Sequence, residues 1–309
     1  MLLLEQMVVL FLLMGIGYLC YKKEIITDEA GKKLSAIVVN IANPALVLTG
    51  CLGEEKIQGQ ELFVTAAIIT GVYSALLLIA QILPRLLRVE KESRGTYKAM
   101  TVFSNIGFMG FPVVAALYGK SALLYAALFT IPYNILIYTY GVSSMSSEPE
   151  GGRQKGHGAA FLIRSTFNVG VISCIAAMII YLCEIPVPGM IADTITHLSN
   201  LTAPLSMMVI GASLATINLK KLFTDLRLLL FSVIKLLVLP AVGVMVIRQF
   251  VDNEVILGVC LVMLATPVGS MTAMLAQQYD GDYEMASKGV ALTTILSVAT
   301  IPLVSMLVM

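Results

Sequence analysis

Apolar residues gather in ten blocks of roughly 20, separated by short polar stretches, over nearly all of the 309-residue chain. A hydrocarbon core about 30 Å thick takes about 20 helical residues to cross. Lipid offers no partners to free backbone groups, so each block must be a helix or be shielded by other helices. The pattern therefore predicts an all-α polytopic membrane protein, with spans at 4–21, 31–52, 62–83, 97–118, 121–141, 165–183, 194–216, 226–248, 254–277 and 286–307. Every Asp and Glu lies at or beyond a block end. A composition 58% hydrophobic and 13% charged, with mean hydropathy +0.90, agrees: a soluble chain of this size could not bury so much apolar surface. The first block does not read as a cleaved leader, because its start carries Glu5 rather than Lys or Arg and Lys22-Lys23 follow it. Cys20, Cys51, Cys174, Cys183 and Cys260 show no CxxC spacing and read as packing residues.

Basic residues vote on sidedness. With Lys22-Lys23 placed inside, sixteen Lys and Arg fall in inner loops and only Lys56, Lys120 and Arg248 in outer ones, leaving Lys235 within a span. Both termini are then expected on the outer side of the cell membrane. The long polar stretch at 142–164 separates two halves, 1–150 and 151–309, of five spans each. An odd number of spans per half inverts the second half relative to the first, as in inverted-repeat transporters. Asn43-Pro44 in the second span and Ala203-Pro204 in the seventh echo one another, as do Tyr118-Gly119 and Tyr279-Asp280-Gly281 after the fourth and ninth.

The fourth and ninth spans carry the unusual chemistry. SNIGFMGFP, Ser104 to Pro112, packs Asn105, Gly107, Met109, Gly110 and Pro112 into one run; TPVGSMT, Thr266 to Thr272, adds Pro267, Gly269, Ser270 and Thr272. Proline removes a backbone donor and clashes with the carbonyl four residues back, and neighbouring glycines ease a break. Either run alone is compatible with a kink or close helix packing. Two such runs at equivalent places in two halves point to a binding site of broken helices, whose freed amides and half-helix N-termini attract an anion. Other buried polar candidates are Asn40, Asn43, Asn134, Tyr138, Ser206 and Gln277, for which interhelical hydrogen bonding is the alternative. Lys235 is a charge deep in the eighth span; it serves either as a source of positive potential, as a proton carrier, or as a snorkelling anchor.

The chain resembles the auxin efflux carrier family, which includes plant PIN exporters and bacterial malate or malonate permeases. The likeness rests on Asn105 followed by Met109–Pro112 and Tyr118-Gly119, on the Pro-Leu-Ser and Gly-Ala-Ser-Leu of LTAPLSMMVIGASLA from Leu201, and on Pro267, Gly269, Tyr279 and Pro302. It implies two inverted five-helix repeats. Spans 1, 2, 6 and 7 would form a scaffold, and spans 3–5 with 8–10 a moving transport domain whose broken helices 4 and 9 cross at the substrate site. The resemblance also suggests a homodimer. Two departures stand out: Thr272 occupies the place of the second crossing proline, and span 3 lacks the charges that PINs carry there, so auxin-like selectivity does not transfer.

The expectation is a secondary active transporter of small organic anions, mono- or dicarboxylates such as malate or malonate, working by alternating access with proton or Na⁺ coupling left open. Asn105, the amides around Gly107–Pro112, Ser270 and Thr272 would bind the carboxylate, Asn43 and Asn134 would complete the pocket, and Lys235 would add positive potential. No HExxH, GxSxG or P-loop occurs, so neither an enzyme, a cofactor nor a metal is expected; nor is a nucleic-acid partner, the basic residues being spread over short loops. A Na⁺-coupled symporter of bile-acid type and an anion channel or membrane sensor are the rival readings.

Overall fold

Polar residues placed just before the apolar blocks start helices by accepting their first free amides. In the computed structural model Thr27 does so for Ala30, Asn168 for Val171, Asp225 for Arg227 and Leu228, and Asn253 for Val255 and Ile256. The structure describes residues 2–52, 59–145, 168–216, 222–279 and 281–308. Lys56, the stretch 146–167 with Arg153, Lys155, His157 and Arg164, and Lys220, Lys221 and Asp280 lie outside the described residues. So do most of the expected inter-half loop and the first residues of the predicted sixth span.

The chain runs through α1 (Leu2–Lys22), α2 (Asp28–Ile37), α3 (Asn43–Thr49), α4 (Gly59–Leu86), α5 (Arg94–Val102), α6 (Phe111–Tyr118), α7 (Leu123–Leu128), α8 (Thr130–Leu136) and α9 (Val142–Met145). It continues through α10 (Val169–Leu182), α11 (Gly189–Ser199), α12 (Thr202–Ala215), α13 (Leu226–Val233), α14 (Leu239–Ile247), α15 (Glu254–Ala265), α16 (Ser270–Gln278) and α17 (Tyr283–Val308). Among the described residues the only β pairing is one isolated antiparallel bridge. Five continuous stretches, Gly59–Leu86, Leu123–Met145, Gly189–Ala215, Leu226–Ile247 and Tyr283–Met306, are long and apolar enough to cross a membrane. Val8–Lys22, Ile106–Tyr118, Val169–Leu182 and Glu254–Ala265 are shorter apolar helices.

Wide π-type turns join several of these pieces. The turns Val38–Ala42, Ile106–Gly110 and Ile234–Val238 each end two residues before a proline: Pro44, Pro112 and Pro240. A proline ring cannot tolerate the carbonyl four residues back, and a turn widened by one residue moves that carbonyl aside without ending the helix. These three prolines are thus absorbed as bulges, whereas Pro84 in α4 and Pro302 in α17 lie inside helices without one. The turn Ile137–Gly141 has no such proline after it.

Burial shows which helices lie inside. Every residue from Ile256 to Ala265 in α15 is buried, as is every residue from Ala122 to Ala127 around α7. In contrast, Leu12, Phe63, Leu78 and Val242 point large apolar side chains outward. That distribution is expected of a bundle whose surroundings are hydrocarbon. The chain is a multi-pass membrane protein by its helices.

Small residues set the closest helix approach. A Cβ added to Gly211 in α12 would overlap the backbone of Met14 and Tyr18, and one added to Gly17 in α1 would overlap the backbone of Met208. The two helices therefore touch main chain to main chain, where dispersion contacts substitute for the hydrophobic drive that lipid does not supply. On another side, Glu61 in the first turn of α4 accepts hydrogen bonds from the Tyr125 hydroxyl (2.7 Å) and Asn253 Nδ2 (3.0 Å), tying α4, α7 and the start of α15. Of the five cysteines, Cys174 and Cys260 are buried and Cys183 is exposed; all five are free thiols.

Gly211→Leu is expected to lower stability by about 1–3 kcal/mol or more, the usual cost of overpacking, because the overlapped atoms are backbone. Gly15→Leu, on the same α1 helix but facing open space, is expected to leave the thermal midpoint unchanged. Thermal unfolding of both variants followed by circular dichroism checks the pair; equal midpoints would contradict the packing.

Candidate functional site

Two helices stop in mid-bundle and restart. Helix α5 ends where Phe103 turns extended (φ −97°, ψ 100°), and the chain resumes at the π turn after Asn105. Helix α15 ends at Thr266 (φ −62°, ψ 146°), and α16 begins after Gly269 (φ −70°, ψ 139°). Pro267 has no amide to continue a helix, and Gly269 leaves room for a second backbone. The two extended pieces pair antiparallel, Ser104 opposite Val268. Asn105 N–H donates to Pro267 O (2.7 Å), and Gly269 N–H donates to Phe103 O (2.9 Å).

Backbone accounting at this crossing is nearly complete, as a water-poor interior demands. Phe103 N–H still reaches Ala99 O and Thr266 N–H reaches Val262 O, both at 2.9 Å. Val268 N–H finds the Thr293 hydroxyl at 3.1 Å. The carbonyl of Ser104 accepts from Ile106, and that of Asn105 accepts from Met109 and Gly110. At the end of α5, Lys235 Nζ donates to Thr101 O (2.9 Å) and to Ser104 Oγ (2.8 Å). Lys235 is wholly buried, so it does not snorkel to an interface.

Asn105 is the hub of the first break. Its Oδ1 accepts from Phe108 N–H (3.3 Å), capping the restart, while its Nδ2 has no hydrogen-bond partner among the described residues. The break lies at 103–105, upstream of the Gly107–Pro112 stretch from which freed amides were expected. Phe108, Met109 and Gly110 amides are already held by Asn105, and Pro112 sits in the first turn of α6. Met109 is fully buried, with the Ser297 hydroxyl 3.8 Å from its sulfur, and a Cβ on Gly110 would lie 3.0 Å from the Met263 sulfur. Those two residues pack. Gly107 instead offers its carbonyl to Asn43 Nδ2 (3.1 Å), while the buried Asn43 Oδ1 has no partner among the described residues.

At the second break Pro267 and Gly269 form the extended piece, Ser270 opens α16 and is exposed, and Thr272 is buried with an unsatisfied hydroxyl. The amides of Ser270 and Met271 are in the first turn, where no helical acceptor exists. Asn134 is buried in α8; its Nδ2 donates to Thr130 O (2.8 Å), and its Oδ1 accepts from Asn168 at the start of α10. Asn40 and Gln277 are exposed, Asn40 bonding only its own helix.

Three residues of the site were not singled out from sequence. Ser104 becomes a partner of Lys235 only when residues 131 apart meet. Tyr133 stacks edge-on against Phe103 (5.6 Å between ring centres), and its hydroxyl lies 3.2 Å from where a Cβ on Gly269 would be. Asn168 was legible only as a polar residue preceding an apolar block, the usual signature of a helix cap.

A profile described as membrane transport protein matches residues 2–305. An uncharacterized transporter of Methanothermobacter thermautotrophicus is 24% identical over 303 residues, covering 97% of this chain and 96% of its own. A protein of Rhizobium meliloti whose name proposes it as a malonate transporter is 26% identical over 302 residues, covering 94% and 91%.

Gly269→Val would press side-chain atoms onto Ser104 O, which lies 3.0 Å from an added Cβ, and is expected to cost about 1–3 kcal/mol. Gly107→Ala meets only Asn43 Nδ2 at 3.4 Å, an ordinary contact, and is expected to cost clearly less. Comparison of their thermal midpoints checks the crossing; a Gly269→Val midpoint equal to wild type would contradict it.

Proposed function

We propose that this chain, which belongs to the membrane transport protein family, is a secondary carrier of small carboxylates working by alternating access. The observation that carries this reading is the paired break. Two half-helices, one restarting at Asn105 and the other at Gly269, begin beside each other in the bundle interior. Their N-terminal ends carry positive partial charge, and no acidic side chain forms an ion pair at the crossing among the described residues. An anion is the ligand such a place favours. The Rhizobium relative's name supports a dicarboxylate of malonate size.

In this reading Asn105 Nδ2 and the amides of Gly107, Ser270 and Met271 hold the carboxylate. Asn43, Asn134 and Thr272 line the pocket, and Lys235 contributes positive potential without touching the ligand. The full architecture is ten spans in two inverted repeats, 1–150 and 151–309, with both termini outside the cell membrane. Spans 1, 2, 6 and 7 are the scaffold, and spans 3–5 with 8–10 are the moving domain. Hydrogen bonds that then join the domains include Asn43 Nδ2 to Gly107 O and Asn168 Nδ2 to Asn134 Oδ1. Both would be exchanged for others as the site moves, and substrate shifts the equilibrium only by binding one state more tightly than the other.

The test is uptake of labelled malonate and malate into proteoliposomes. Asn105→Ala removes a hydrogen bond to a charged group, worth about 1.5–3 kcal/mol, so uptake is expected to fall by about 10- to 100-fold. Lost capping lowers stability by only about 1 kcal/mol, so the variant is expected to express and fold. Wild-type uptake by Asn105→Ala would refute the site.

A further inference from the structure

The crossing has a second polarity. Helix α5 reaches the break with its C-terminal end, where carbonyls lack helical partners and carry negative partial charge. In carriers built from broken helices, such C-terminal carbonyls are where a coupling cation is held. Here that place is filled from within the chain. Lys235 Nζ lies 2.9 Å from Thr101 O and 2.8 Å from Ser104 Oγ, and its side chain has 0% exposure.

Among the described residues no carboxylate pairs with it. The ion pairs among the described residues, Lys33–Glu29, Arg227–Glu90 and Lys288–Glu284, all involve exposed or partly exposed side chains. A lysine buried without an anion must be held by dipoles, face a polar cavity or give up its proton. The Thr101 carbonyl and the Ser104 hydroxyl supply such dipoles, and the wide turn Ile234–Val238 carries the lysine opposite them.

We infer that the Lys235 ammonium is a tethered cation occupying the cation position of the crossing, so that this position takes no Na⁺. Lys235, Thr101 and Ser104 lie on segments assigned to the same moving domain in the reading above, on which the inference rests. The charge then travels with the site instead of entering from solution. Removing the side chain opens a hole that a small free cation can fill.

Thermal unfolding of the purified full-length protein at constant ionic strength reads this without any substrate. Wild type is expected to unfold at the same temperature in sodium chloride and choline chloride. Lys235→Ala in choline chloride is expected to unfold about 5–10 °C lower, with most of the loss recovered by Na⁺ or methylammonium in a concentration-dependent way. A Na⁺-specific rise in the wild-type midpoint would overturn the inference, as would a folded Lys235→Ala protein indifferent to every small cation. If Lys235→Ala is unfolded in all salts, Lys235→Met decides: a lowered midpoint in choline chloride supports the inference, and a wild-type midpoint overturns it. Because no carboxylate enters this assay, its failure leaves the carrier reading standing, and failure of malonate uptake leaves the cation result standing.

Discussion

Two short extended segments, 103–105 and 266–269, pair with each other in the middle of a helical bundle, and the rest of the structure serves to make that pairing affordable. A helix satisfies its own backbone; an interruption frees groups that hydrocarbon cannot satisfy. Here each interruption supplies partners to the other, through Asn105 to Pro267 and Gly269 to Phe103. Side chains from more distant helices close the remaining gaps: Thr293 accepts from Val268, and Lys235 donates to Thr101. Central placement of α15, buried from Ile256 to Ala265, keeps water away from the first half of the second break.

The same pairing creates two electrostatic ends within a few residues. Half-helix starts at Asn105 and Gly269 offer donors, whereas the end of α5 offers acceptors. Donors without side-chain competition are the part suited to a carboxylate. The acceptors are already answered by a lysine of the chain itself. The lack of an acidic ion-pair partner at the crossing among the described residues is consistent with both: the anion is left to the solute, and the cation is built in.

Much of this was legible in the sequence, for identifiable reasons. Block length marked the five long apolar stretches, because hydrocarbon thickness sets it, and a family profile spans residues 2–305. Pro267 with Gly269 marked the second break correctly, since local backbone chemistry decides it. Pro112 misled by a turn: its clash is absorbed in a π-type bulge, and the actual interruption is upstream at 103–105. The partners of Lys235 and Asn43 were beyond reach. Their hydrogen bonds join residues 134 and 64 apart, and no local periodicity reports which helices meet. Tyr133 was hidden for the same reason, a tyrosine in an apolar run until Phe103 and Gly269 are placed beside it.

The most direct test of the pairing is a disulfide. Ser104 and Val268 face each other as a pair flanked by, and not sharing, the two cross-strand hydrogen bonds; such pairs have Cα atoms about 4.5 Å apart, within disulfide range. In a background with the five native cysteines replaced, Ser104→Cys with Val268→Cys is oxidised in the membrane, denatured, alkylated and read by mass spectrometry. The crossing predicts a 104–268 disulfide in the double variant, with both thiols alkylated only after reduction. Two thiols that stay free and alkylate without reduction would contradict it.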